Sequence, residues 1–243
     1  MSGRSKDNLL RLLLGCLVIL CVLALYLAQA FEGVERKTFD LRFKLRGPKP
    51  PAVPQVFLVG LDEETTRHFS VRPREFPRSL VAKAVKNLAA AGASVIALDF
   101  LYSQSSENPQ EHEAMAEAMR AAGNVVLASF MSNDRYVPPL PAFQALEAGE
   151  GTINLTMDRD GIVRSLPVLS AIPAEEGVQY ILNFDVETAR LRLFGNEMEV
   201  FDPNTPGRIR INSATIVAPE NELWVNYYGP PGTFQIFPLS KAV

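Results

Sequence analysis

Two short apolar runs each stop at a carboxylate: VFLVGLDEET, residues 56–65, reaches Asp62, and SVIALDF, residues 94–100, reaches Asp99. If the runs are neighbouring parallel strands, both carboxylates stand at the carboxyl edge of one sheet, where open α/β folds hold their ligands. Such a pair can share a cation, bind an amine or a sugar, or brace two loops. Each aspartate taken alone can equally cap the loop or helix that follows, by accepting bonds from backbone N–H groups. Both readings stay open for the pair. Arg67, Arg72, Arg74 and Arg78 crowd the segment RHFSVRPREFPR, residues 67–78. A guanidinium at the start of the next helix can hold an anion, and Arg78 is placed to do so; the alternative is a solvated face. Asp62, Asp99 and Arg78 are the candidate ligand-binding residues.

Other chemistries find little to work with. Both cysteines, Cys16 and Cys21, lie in the first apolar run, so residues 22–243 hold no thiolate nucleophile, sulfur ligand or disulfide. His68 and His112 each lack a second histidine at zinc-binding spacing and read as solvated or core-edge side chains. DRDG, residues 158–161, has the start of a calcium loop, but the twelfth position holds Leu169 where the bidentate glutamate belongs; it is a turn. NLT at Asn154 is formally a glycosylation sequon, a weak signal. No phosphate-binding glycine loop, nucleophile elbow or dinucleotide fingerprint occurs. No catalytic residue, metal ligand or cofactor site is identified. A net charge of -3 and a pI near 5.6 leave no basic footprint for nucleic acid.

The elements that must position these residues begin with residues 12–31, which carry no charge. A helix of that length rises about 30 Å, the thickness of a hydrocarbon core, and reads as a transmembrane anchor. A signal peptide cleaved after AQA, residues 28–30, is disfavoured by the length of the run, and LLGC is discounted as a lipoprotein box. Lysine and arginine counts on the two sides leave the orientation open. Residues 32–46 fit either helical or strand spacing, with helix preferred, and the prolines of 47–54 make an extended linker. From residue 55 the pattern is strand, helix, strand, helix, strand, a parallel βαβαβ start. TINLTMDRDGIVRSLPVLS then reads as a hairpin, YILNFDVETARLRLF as a helix, and RIRINSATIVA and ELWVNYYG as short strands. The expected fold is one α/β domain, residues 55–243, with a mixed sheet: parallel at its start, antiparallel hairpins in its second half, and one transmembrane helix before it.

FDLRFKLRGPKPP, VFLVGLDEET, FPRSLVAKAVKNLAAAGASVIALDFLY, NVVLAS, GTINLTMDRDGIVRSLPV and WVNYYGPPGTFQIFPLSKAV occur here in order. Together, across residues 35–243, they resemble the second type of CHASE domain, the sensory extracellular modules of bacterial receptor cyclases and histidine kinases. The resemblance implies an extracytoplasmic, periplasmic ligand-sensing domain on the inner membrane, with residues 1–11 as a cytoplasmic tail and residues 32–54 as a juxtamembrane helix and linker. It further implies more membrane helices and a cytoplasmic output, such as an adenylate or guanylate cyclase, a histidine or Ser/Thr kinase, or a diguanylate cyclase; that output is absent from this chain. Asp62 and Asp99 match the family pattern. The family's tryptophan-and-proline-rich turn is replaced by VRPREFPR before Arg78. The implied partners are the membrane, a small-molecule signal and a second copy in a homodimer, with no nucleic acid. An anchored hydrolase and a structural interaction module are the alternatives.

Overall fold

The computed structural model describes residues 3–27, 32–49, 56–72, 75–104, 108–133, 135–146, 149–174, 177–196, 201–202 and 207–243. Arg74, the AQA tripeptide and most of the proline linker lie outside these residues. The chain divides into two compact units: residues 1–55 with Tyr227–Phe234, and residues 56–226 with 235–243.

The first unit holds helices α1 (Gly3–Leu27) and α2 (Glu32–Arg46). Within α1, Leu10–Leu27 has a mean hydropathy of 2.6 and no buried residue, and is long and apolar enough to cross a membrane. The ambiguous stretch 32–46 is helical because its four-residue spacing stacks side chains that strand geometry would separate. Phe39 and Phe43 meet edge to face at 4.9 Å, and Phe43 meets Tyr227 at 6.0 Å. The Arg46 guanidinium lies 4.6 Å over the Phe43 ring and donates to the Tyr227 carbonyl. Lys49 N–H donates to the Tyr228 carbonyl at 2.7 Å, so one face of α2 is closed by Tyr227–Phe234.

The second unit runs β1 (Leu58–Gly60), α3 (Glu63–Phe69), α4 (Arg78–Ala90), β2 (Ile96–Leu98), α5 (Pro109–Ala122), β3 (Val125–Ser132), β4 (Arg135–Val137), α6 (Pro141–Gln144), β5 (Gly149–Thr152), β6 (Thr156–Met157), β7 (Val163–Pro167), β8 (Leu169–Pro173), β9 (Val178–Leu182), α7 (Phe184–Phe194), β10 (Phe201–Asp202), β11 (Arg208–Ile211), β12 (Ala214–Val217), β13 (Glu222–Trp224) and β14 (Ile236–Pro238). Strands β2, β3 and β5 are parallel neighbours, with Leu98 beside Leu127 and Ser129 beside Thr152, and β4 folds back antiparallel on β3. The parallel run therefore exists, but β1 does not open it. β1 pairs in parallel with β14, Gly60 beside Pro238, and not with β2. Gly60 permits this partner, since a Cβ there would stand 2.8 Å from Ile236 Cγ2. The antiparallel second half is present as β8–β9, β6–β7–β13 and β10–β11–β12.

Two cores hold the unit. Val81 and Val85 of α4 with Met115 and Met119 of α5 pack on Ile96, Leu98 and Leu127, closed by Phe143. Asn108 accepts from Gln110 N–H at 3.1 Å and Pro109 opens α5, so this helix starts where its sequence says it should. The second core gathers Val168, Leu169, Leu182, Val186, Ile209 and Ile211 from the antiparallel strands and α7. Residues 180–194 do not form one helix as expected. Val178–Leu182 is a strand, registered on β8 with Ser170 beside Ile181, and the helix begins at Phe184.

Candidate functional site

α7 is seated on the parallel sheet by the absence of a side chain. A Cβ on Gly151 of β5 would stand 2.5 Å from the Phe184 Cα, so only glycine lets the helix start so close to the strand. Asn183 caps α7 by accepting from Asp185 N–H at 3.1 Å, and its own amide donates to the Asn154 carbonyl at 3.2 Å. An isolated parallel bridge joins Asn183 to Thr152, which places the end of β9 beside the end of β5. The carboxyl ends of β2, β3, β5 and β9 thus share one edge.

Asp99 follows β2 at that edge and is exposed. Its electrostatic partner is Asp185, in the first turn of α7. Although Asp185 is also an exposed residue, partial burial of its carboxyl raises its pKa above the usual aspartate value, and the nearby Asp99 carboxylate raises it further. A helix N-terminus ordinarily favours a carboxylate, so the upward shift means that desolvation and like charge outweigh the dipole here. The shift favours the protonated form of the Asp185 carboxyl.

Asp62 is engaged elsewhere. It caps α3, its Oδ1 accepting from Thr65 N–H at 2.9 Å, and this bond is the largest cause of its lowered pKa. Thr65 Oγ1 in turn accepts from Ser240 N–H at 3.2 Å, tying α3 to the turn after β14. Two of the three sequence candidates therefore stand on different strand systems, Asp62 after β1–β14 and Asp99 after β2–β3–β5.

Arg78 fastens the loop that leaves Asp99. Its Nη2 donates to the Gln104 carbonyl at 2.5 Å and its guanidinium carbon lies 5.3 Å from the Tyr102 ring centre. Its backbone N–H donates to Glu111 Oε2 at 3.3 Å, while Nη1 is buried without a hydrogen-bond partner. Tyr102 is buried, which pushes its pKa up; the Arg78 charge opposes this.

Three further polar arrangements have structural explanations. Arg164, 2% exposed, donates to Asp158 Oδ2 at 2.5 Å and to Asp160 at 2.8 and 3.0 Å, so the DRDG turn is closed on an internal cation. The bond from Arg164 is the main reason that the Asp160 pKa falls to about 2. Asn154 binds both the Met131 N–H, at 2.7 Å, and the Met131 carbonyl, at 2.9 Å, so its amide works as a strand partner. On α7, Glu187 and Arg190 form a buried two-point ion pair at 2.7 and 2.8 Å. Among the described residues no group of three or more His, Cys, Asp or Glu side chains could hold a metal ion. A shallow groove of about 450 Å³ between the C-terminal ends of α4 and α5, reaching Asn124, lies at the opposite edge of the sheet.

The sequence reading missed Asp185. Reading 180–194 as one helix placed Asp185 inside it, whereas Asn183 followed by Asp185 and Glu187 is the signature of a helix start.

The structure is a mixed α/β unit, with an apolar helix long enough to cross a membrane earlier in the chain. The chain belongs to the CHASE2 domain family, whose model matches residues 17–243. CHASE2 domains are extracytoplasmic, non-catalytic sensor domains of receptor cyclases and kinases. No curated protein and no solved structure matches the chain.

Proposed function

We propose that this chain is the ligand-sensing part of a bacterial receptor anchored in the inner membrane, with α1 as its transmembrane span and the β/α unit on the periplasmic side. The family match carries the reading, because it begins at residue 17, inside the apolar helix, and runs to residue 243. The signal is a small molecule bearing a cationic, amine or hydroxyl donor, received by Asp99 and Asp185 at the carboxyl edge. Arg78 holds the 99–104 loop beside it. Ligand binding favours one of two arrangements of the domain or of a homodimer, by no more than its differential affinity for them. The helices α2 and α1 pass the difference to a cytoplasmic cyclase or kinase output.

Topology tests the reading directly. With Cys16 and Cys21 replaced by serine, Arg159→Cys puts one thiol on the exposed tip of the β6–β7 turn. A membrane-impermeant maleimide should label it in cells whose inner membrane is intact. Labelling only after that membrane is permeabilised would place the domain in the cytosol and remove the receptor reading.

A further inference from the structure

The segment Tyr227–Phe234 leaves one strand ladder and enters another, and between the two it grips α2. Before it, β13 is paired with β7, and Val225 N–H donates to the Arg164 carbonyl at 2.8 Å. After it, β14 is paired with β1, the strand that follows α2 in the chain. The two ladders belong to different sheets, so a shift of one against the other is taken up in residues 225–235.

The grip on α2 uses backbone as well as side chains. Gly47 N–H closes the helix by donating to the Phe43 carbonyl at 3.0 Å. Two successive carbonyls then accept from residues around that end: Tyr227 from the Arg46 guanidinium, and Tyr228 from Lys49 N–H at 2.7 Å. Arg46 also lies over the Phe43 ring, which meets Tyr227, so one side chain fastens the last turn to the segment twice. The segment is itself closed. Thr233 donates to the Pro230 carbonyl through its N–H at 3.1 Å and through Oγ1 at 2.7 Å, and the Tyr228 and Phe234 rings meet at 5.7 Å. A side chain at Gly229 would prevent this, since a Cβ there would stand 2.5 Å from Thr233 Oγ1 and 3.3 Å from Pro48 Cβ.

We infer that Tyr227–Phe234 is a two-state clamp on α2, with Arg46 as its pin, tightened or released by a shift between the β13–β7 and β1–β14 ladders. The inference rests on the sensor reading and supplies the step at which α2 receives the signal. Its physical content is a bistable contact that both the ladders and the helix bias. Such coupling is reciprocal, so loosening the clamp from the α2 side is felt in the ladders.

Hydrogen exchange of the full detergent-solubilised chain reads this. Arg46→Ala should speed exchange about fivefold in residues 39–46 and also in β1, β13 and β14, while β2, β3 and β5 keep their rates. Gly229→Val, which keeps the segment from closing, should give the same pattern at about tenfold. Arg46→Lys retains a cation and a donor, and should fall between Arg46→Ala and the unchanged chain. Faster exchange in α2 alone makes the segment a passive cover and overturns the clamp. An equal rise in β2, β3 and β5 is general loosening and overturns it too, as do unchanged rates throughout. Labelling of Arg159→Cys separates this failure from that of the sensor reading: outside labelling without the exchange pattern removes the clamp alone, and the exchange pattern without outside labelling removes the sensor reading alone.

Discussion

Two pairs of aspartates sit at loop edges of the same unit, and their electrostatics point in opposite directions. Asp158 and Asp160 close on Arg164, and Asp160 is held at about 2 by that contact. Asp185 is held above its ordinary value by burial and, secondarily, by the Asp99 charge. Asp160 and Asp185 are both exposed as residues, but the Asp185 carboxyl is the more desolvated, and desolvation is the larger cause of its upward shift. The neighbours then differ in sign: the buried Arg164 guanidinium closes on the first pair, while the Asp99 charge adds to the rise that burial causes at Asp185.

The comparison breaks first at the internal cations. Glu187 and Arg190 are both only 6% exposed in their side chains, so truncating the arginine leaves a buried, unanswered carboxylate. Arg190→Leu should cost about 3–5 kcal/mol, read as a fall in the unfolding midpoint of the detergent-solubilised chain. An unchanged midpoint would show that the pair is structurally idle. Arg164→Met should cost less, about 2–3 kcal/mol, because Asp158 and Asp160 turn partly to solvent when released. It should also return Asp160 towards its ordinary pKa, seen as a carboxyl titration by NMR. Either outcome failing would make DRDG an ordinary turn, with Arg164 a passenger.

Asp62 tests the line between scaffold and site more gently. Asp62→Ala removes the α3 cap and should lower the midpoint by less than either arginine change, whereas Asp62→Asn keeps an accepting oxygen and should be nearly neutral. Neither should alter the response of an intact receptor to its signal. A changed dose response in Asp62→Asn, with the midpoint held, would make Asp62 a ligand contact as well as a cap.

Much of the scaffold was legible because its signals are local. Pro109 after Asn108, and the apolar runs at 94–98 and 124–129, fix α5, β2 and β3 within a few residues of where they lie. On α4 Val81, Ala82, Ala84 and Val85 are buried, with Leu80 and Leu88 at the edge. Strand partnership was not legible. β1 and β14 are three residues each, lie near opposite ends of the unit and carry no periodicity that names the other. The carboxylate pair was missed for the same reason, because Asp99 finds Asp185 only after β9 has been recognised as a strand and Asn183 as a cap. The aspartate at the end of β2 was visible as a candidate; its neighbour is a property of the topology.

The smallest effect sharpens the contrast most, because the two pairs should respond to pH with opposite signs. Asp160 has a folded pKa below its ordinary value of 3.8, so its contribution to stability is present above that value and is lost as pH falls towards about 2. Asp185 has a folded pKa above 3.8, so its contribution is present below that value and is lost as pH rises through the folded pKa. Asp185→Asn should therefore flatten the loss on the rising side and leave the acid side alone, and Asp160→Asn should do the reverse. Asp99→Asn should lower the Asp185 titration midpoint part of the way, since burial, the larger cause, remains. High salt should reproduce that part in the wild type, because an exposed pair of like charges is screened. If the Asp185 midpoint is unmoved by both Asp99→Asn and salt, the two carboxylates do not share a site and a donor bound between them loses its physical basis.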